Sequence, residues 1–232
     1  MGTVLVTDAD CVLGRALCAE LAACGFGVLA HARTPAREPY PAPIVPVTAG
    51  RISEALAGWN ETVAPIGHVL FGQPWDAADF TDEDGLEAMA AFLEDDLVGF
   101  LDDLQAAARL LARRNGAQLW VLTREDSTCY YTGQPSLPIR ARARHAAVKS
   151  LAKEVFRFGV RANCANIQTL AEQASPEEWQ HARNGLKAFA MKFKPVEAVA
   201  VARTLTAFLR QVDLPISGMV VPIGVGFAEV NI

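Results

Sequence analysis

The residues best suited to acid–base chemistry fall in one stretch: Ser127, Tyr130, Tyr131 and His145. Only the histidine has an ordinary pKa close enough to neutrality to act as a general base unaided. Tyr130 and Tyr131 precede Gly133, Pro135 and Pro138, which places them in a loop and not one helical turn before His145. A lone histidine on a helix is more often a packed or surface residue than a catalyst. The four histidines are scattered, and the five cysteines (Cys11, Cys18, Cys24, Cys129, Cys164) have no C-x-x-C spacing, so no metal site is expected and the thiols read as small core hydrophobes. The other stretch with chemical potential is the N-terminal one. An apolar strand from Thr3 leads through Thr7-Asp8-Ala9-Asp10-Cys11-Val12-Leu13-Gly14 into a helix expected from Arg15 to about Cys24, the arrangement that opens a dinucleotide-binding unit.

That turn is unfavourable to a phosphate. Glycines there let the backbone approach a pyrophosphate and leave amides free at a helix N-terminus; Val12 instead brings a β-branched side chain, and Asp8 and Asp10 bring carboxylates. A carboxylate about 5 Å from a phosphate charge repels it by roughly 3 kcal/mol at an effective dielectric near 20. A helix dipole returns about 0.3–1 kcal/mol, up to about 2 in the best sites. Repulsion prevails unless an Asp turns away or caps the helix, and a strand–turn–helix with a capping Asp is the expected arrangement.

The elements that must position these residues belong to a single α/β domain spanning 1–232. The chain has 232 residues, 51% of them hydrophobic, enough for one substantial core. A net charge of −5 argues against general attraction to nucleic acid or an anionic membrane. No run is long and apolar enough to span a bilayer, and the chain enters a strand at once, so a cytoplasmic protein without a signal peptide is expected. Short buried-type strands at Gly27–Arg33, Ile44–Val47, Gly67–Phe71, Gln118–Leu122 and Val160–Asn166 alternate with helical patterns, which predicts a doubly wound parallel sheet. Pro35, Pro39, Pro41 and Pro43 preclude a helix between the second and third strands. A long helix over about 85–114 carries Met89, Leu93, Leu97, Phe100, Leu104 and Leu111 at helical spacing. Eleven acidic residues and no Lys or Arg lie between Asp76 and Asp103.

Order and spacing together resemble the short-chain dehydrogenase/reductase (SDR) family over the whole chain. Thr7 and Gly14 fit its T-G-x-x-x-G-x-G turn, Asn163 its sixth strand, Pro195–Ala200 its P-x-E-x-A helix start, and Gly218–Gly226 its closing strand. The resemblance implies a Rossmann-like fold of SDR type, and it also locates what is missing. Asp8 and Val12 replace two turn glycines, Phe71-Gly72-Gln73-Pro74 stands for N-N-A-G, and Ile167-Gln168 stands for P-G. Asp96 lies nearest the Asn that holds a relay water. Thr123-Arg124 takes the serine pair, with Arg124 at the catalytic Ser, and Ala141 and His145 take the Tyr and Lys positions. Alanine cannot transfer a proton. Arg33, at the end of the second strand, matches an NADP-type selector, but without the usual helix beyond it it reads as a surface residue.

The resemblance therefore implies a catalytically inactive subunit, without cofactor or metal, that scaffolds an active SDR paralogue in a heterotetramer. Such pairs occur among hydroxyacyl-CoA dehydrogenases, including that of the benzylsuccinate route of anaerobic toluene breakdown. Family members assemble through the fourth and fifth helices. Here the fourth is acidic and the fifth basic (Arg140, Arg142, Arg144, Lys149, Lys153, Arg157), and the Met89–Leu111 stripe is expected to face the partner. Two alternatives stand beside this reading: a divergent NADP-dependent reductase using His145 or a loop tyrosine, and a small-molecule sensor using the vacant cleft.

Overall fold

The computed structural model describes residues 2–36, 38–58, 65–72, 85–112, 114–125, 138–173, 175–177, 180 and 195–224. Seven parallel strands form one sheet: β1 (Thr3–Val6), β2 (Gly27–Ala32), β3 (Val45–Thr48), β4 (Ile66–Phe71), β5 (Gln118–Arg124), β6 (Arg161–Ile167) and β7 (Val220–Ile223). Their spatial order is β3-β2-β1-β4-β5-β6-β7. The central strands are buried on both faces and read as near-continuous apolar runs, as a covered parallel sheet requires. The expected doubly wound α/β architecture is the one observed.

Helices α1 (Val12–Ala23) and α5 (Ala198–Leu209) cover one face, where Leu13, Leu17, Leu21, Leu205 and Leu209 meet Trp120. Trp120 stacks on Phe208 at 5.1 Å between ring centroids, and its indole N–H donates to Gln118 Oε1. Gln118, fully buried, in turn donates to the carbonyls of Phe208 and Gln211, so the polar group inside the core is satisfied. Helices α2 (Ile52–Gly58), α3 (Gly85–Leu111) and α4 (Pro138–Val155) cover the other face, over Phe71, Leu119 and Val121. The chain passes from β2 to β3 with no helix among the described residues, as the prolines predict. Glu172 caps α5 from outside, accepting the Ala198 N–H at 3.0 Å.

Three expectations are corrected. Helix α1 starts at Val12, not Arg15, and its cap is Cys11, whose Sγ accepts the Gly14 N–H at 3.3 Å; Asp8 does not cap it. Three residues of the α3 stripe are not available to a partner: Phe100, Leu104 and Leu111 lie in the core of this chain because the sheet beneath covers them, Phe71 meeting Phe100 edge-on at 5.8 Å. Leu97 is half-buried, and the side chains of Met89 and Leu93 fall outside the described residues. The α3 and α4 charges do not all look outward either, since Asp96 is bound by Arg140 and Arg144 of the same chain.

Candidate functional site

The order of strands reverses between β1 and β4, and in open α/β sheets ligands enter beyond the carboxyl ends at such a point. Here those ends are latched together. The Gly72 N–H donates to Thr7 Oγ1 at 2.8 Å and the Thr7 N–H to the Leu70 carbonyl at 2.9 Å. A Cβ at Gly72 would strike the Thr7 carbonyl oxygen, so only glycine fits this approach. Asp8 follows with φ +48°, in the left-handed region that glycine favours and Asp tolerates. Burial pushes its carboxyl above the usual carboxylate range, with Arg33, Arg144 and His31 pulling the other way. Val12, the first residue of α1, is exposed. Gly14 alone keeps a glycine's role: a Cβ there would lie 2.5 Å from the Asp8 carbonyl oxygen and 2.6 Å from Ala9 Cα. This glycine packs the helix against the turn.

Beside this turn lies a cavity of about 30 Å³ lined by Asp8, His31, Arg33, Asp103 and Arg144, among others. It has room for a water or so and not for a nucleotide. His31 donates from Nε2 to the Ala49 carbonyl at 3.1 Å, and burial lowers its pKa. Arg33 is exposed, as expected of a surface residue.

The second cluster holds His145, one of the positions at which the sequence pattern places catalysis. Thr123 is fully buried in β5, and its Oγ1 lies 2.8 Å from His145 Nε2 on α4, 3.1 Å from Asn166 Oδ1 and 3.5 Å from the Ala165 carbonyl on β6. The single hydroxyl proton points to the acceptors on β6, so the hydroxyl accepts from His145 Nε2–H. That nitrogen is occupied as a donor and holds no lone pair for a substrate. Arg124 and Ala141 are both buried. At the P-G position Gln168 is buried too, its Oε1 2.5 Å from where a Cβ on Gly224 would stand. Asn163 links β6 to the approach to β7, donating to the Ile216 carbonyl and accepting the Met219 N–H. Ser127, Tyr130 and Tyr131 lie outside the described residues.

Asp96 is the third position. Arg140 donates to both its oxygens at 2.8 Å, and Arg144 lies 3.3 Å from each. Arg144 also donates to the Gly72 carbonyl and rests on the Phe100 ring, 4.6 Å from its centroid. Burial alone would raise the Asp96 pKa, but the Arg140 hydrogen bonds and both guanidinium charges hold it below the usual range. A carboxylate so engaged forms a clamp between α3 and α4 and has no oxygen left to hold a relay water. The sequence reading assigned Arg140 and Arg144 to a subunit interface and missed this clamp; their spacing of four, which puts both on one helical face opposite Asp96, was the available signal. No group of His, Cys, Asp and Glu among the described residues is arranged to hold a metal ion, and no described helix is long and apolar enough to cross a membrane.

Comparison with protein-family models gives no match, and neither does comparison with curated proteins. Solved structures do match. A short-chain dehydrogenase/reductase from Mycobacterium ulcerans superposes with a TM-score of 0.74 at 17% identity, over 96% of this chain and 88% of that one. A short-chain dehydrogenase from Leptospira borgpetersenii, solved with bound NAD+, gives 0.75 at 13% identity over 96% and 91%. L-sorbose reductase from Gluconobacter frateurii, solved with NADPH and L-sorbose, gives 0.75 at 13% over 99% and 97%. The fold is therefore that of the short-chain dehydrogenases/reductases, over essentially the whole chain.

Proposed function

We propose that this chain is a non-catalytic subunit on the SDR fold, binding neither NAD nor NADP, that scaffolds an active SDR paralogue in a heterotetrameric, hydroxyacyl-CoA-type dehydrogenase. The observation that carries this reading is the arrangement at the proton-relay positions. Ala141 has no proton to give, His145 is a donor to Thr123, and Asp96 is consumed by Arg140 and Arg144. The residues at the turn do not fit a pyrophosphate either, since a half-buried carboxylate and an exposed valine stand where bare backbone is needed. For the scaffolding role, Val98 and Leu101 on α3 and Ile139 on α4 leave large apolar side chains exposed, flanked by Glu94, Asp102 and Arg142. Apolar residues ringed by charge suit a subunit interface, with the charges setting orientation and rate.

The test has two arms. Calorimetry of the isolated chain should give no heat with NAD(H) or NADP(H), and micromolar binding of either would overturn the cofactor half of the reading. Co-expression with a complete SDR paralogue encoded beside it should yield a stable complex whose turnover is unchanged by His145→Gln. A loss of turnover by orders of magnitude in that variant, with the assembly intact, would make the chain a divergent reductase instead.

A further inference from the structure

On the side of α4 away from α3, the segment before β7 leaves an open groove of about 710 Å³. That is the size of a small-molecule site. Lys149, Ala152, Lys153 and Phe156 line it from α4 and the 3-10 turn that follows; Ser217 and Gly218 line it from across. Its floor is set tightly: Gly218 has φ +75°, and a Cβ there would lie 3.3 Å from Ala152 Cβ.

Three features of this groove lack an explanation in the folded chain. Lys149 and Lys153 are exposed one helical turn apart, and among the described residues neither has a carboxylate partner. Like charges at that spacing oppose each other, in a chain whose net charge is −5. Phe156 is 54% exposed, yet its ring is fixed: the Arg161 guanidinium lies 4.5 Å from its centroid and is itself tied to the Leu214 carbonyl at 3.1 Å. Ser217 accepts the Ala162 N–H at 3.3 Å, and no described residue accepts its hydroxyl proton. Two cations, a braced aromatic face and a free hydroxyl donor converge on an apolar floor.

We infer that this groove binds an amphipathic organic anion, with a phosphate, sulfate or carboxylate head between Lys149, Lys153 and Ser217 and an apolar or aromatic body on Phe156 and Ala152. The inference gives Lys149 and Lys153 to the groove instead of to the assembly face that the resemblance implies, and takes none of Val98, Leu101 and Ile139, on which the proposed scaffolding role rests.

The probe is 1-anilinonaphthalene-8-sulfonate, with N-phenyl-1-naphthylamine as the same body without the charge, titrated by fluorescence into the isolated chain at low salt. The sulfonate should bind saturably at one site and weaken as salt rises. The double variant Lys149→Gln/Lys153→Gln should lose about tenfold in affinity for it, the order expected for two partly exposed ion pairs, and should bind the neutral amine as before. Lys149→Arg/Lys153→Arg should retain sulfonate binding. Phe156→Ala should weaken both probes without changing the thermal midpoint. Amide shifts on sulfonate addition should centre on Ala152 and Gly218. Equal affinity for charged and neutral probes, indifference to the lysine substitutions, or shifts centred elsewhere would each overturn the inference. So would a double variant that binds the probe normally but no longer assembles with a partner subunit, which would give the groove to a protein segment.

Discussion

Asp8 occupies a position whose backbone favours glycine, and its side chain is half-buried. Burial raises its pKa in the folded chain above the unfolded value, so the folded state holds the proton more tightly and ionisation with rising pH subtracts stability. Asp8→Asn keeps a side chain that tolerates the left-handed backbone and removes the charge. Its unfolding midpoint should exceed that of the unaltered chain at neutral pH, and the gain should vanish below the ordinary carboxylate pKa. An equal change at both pH values would mean that sterics, not charge, governs the position. The departures from the family pattern at Asp8, Val12, Arg124, Ala141 and His145 can be read from the sequence alone because such a pattern is written position by position. The cap cannot, because a cysteine sulfur lies outside the usual N-cap set. The Thr123–His145–Asn166 cluster was hidden for another reason: three elements far apart in sequence meet only once the sheet has formed.

Between elements, Asp96 ties α3 to Arg140 and Arg144 of α4. Removing the carboxylate takes from two buried guanidinium groups the anion they share, and Asp96→Ala should cost about 3–5 kcal/mol in chemical denaturation. The same carboxylate, held low, contributes stability above its unfolded pKa that is lost as pH falls through its folded value. A second pH effect lies higher. His68 in β4 accepts the Gln118 N–H through Nδ1 at 3.2 Å, and burial brings its pKa down from 6.5 to about 4. Protonation would turn that acceptor into a donor facing another donor. The unfolded chain takes up this proton first, so stability should fall as pH drops from 6.5 towards 4. His68→Gln should flatten that limb of a midpoint-against-pH curve, and an unchanged slope would exclude His68 as its source. The α3 stripe shows what periodicity conveys. It locates an apolar face on the helix, but the surface that covers that face depends on tertiary packing, and here the chain's own sheet does so.

For the whole molecule, the exposed residues of α3 and α4 are the surface through which we propose that it assembles. Val98→Asp with Leu101→Asp should dissociate a complex in light scattering while the isolated chain melts as before. Phe100→Asp, by contrast, removes the ring that packs on Phe71, buries a carboxylate in its place and sets it competing with Asp96 for Arg144, so it should strongly destabilise the isolated chain. If the first variant fails to fold, those residues belong to the core and the interface lies elsewhere. The overall architecture was the most legible level, because the alternation of strands and helices and the proline-dense β2–β3 crossover constrain topology even where individual motifs have changed.

The close approach of Gly14 to the Asp8 carbonyl and Ala9 has a consequence for how such a chain can drift. Positions 8 and 12 carry Asp and Val while the fold stands; selection on solubility alone should accept many residues at the exposed position 12 and little beyond Gly, Asn and Asp at position 8, where φ is +48°. Position 14 cannot follow them, since any side chain there meets backbone within 2.5–2.8 Å. In a library sorted only for folded protein, Gly14 should stay nearly invariant and Val12 should vary freely. A glycine held by sterics should thus persist where its exposed neighbour varies, so that such a turn changes unevenly, from the solvent side inward.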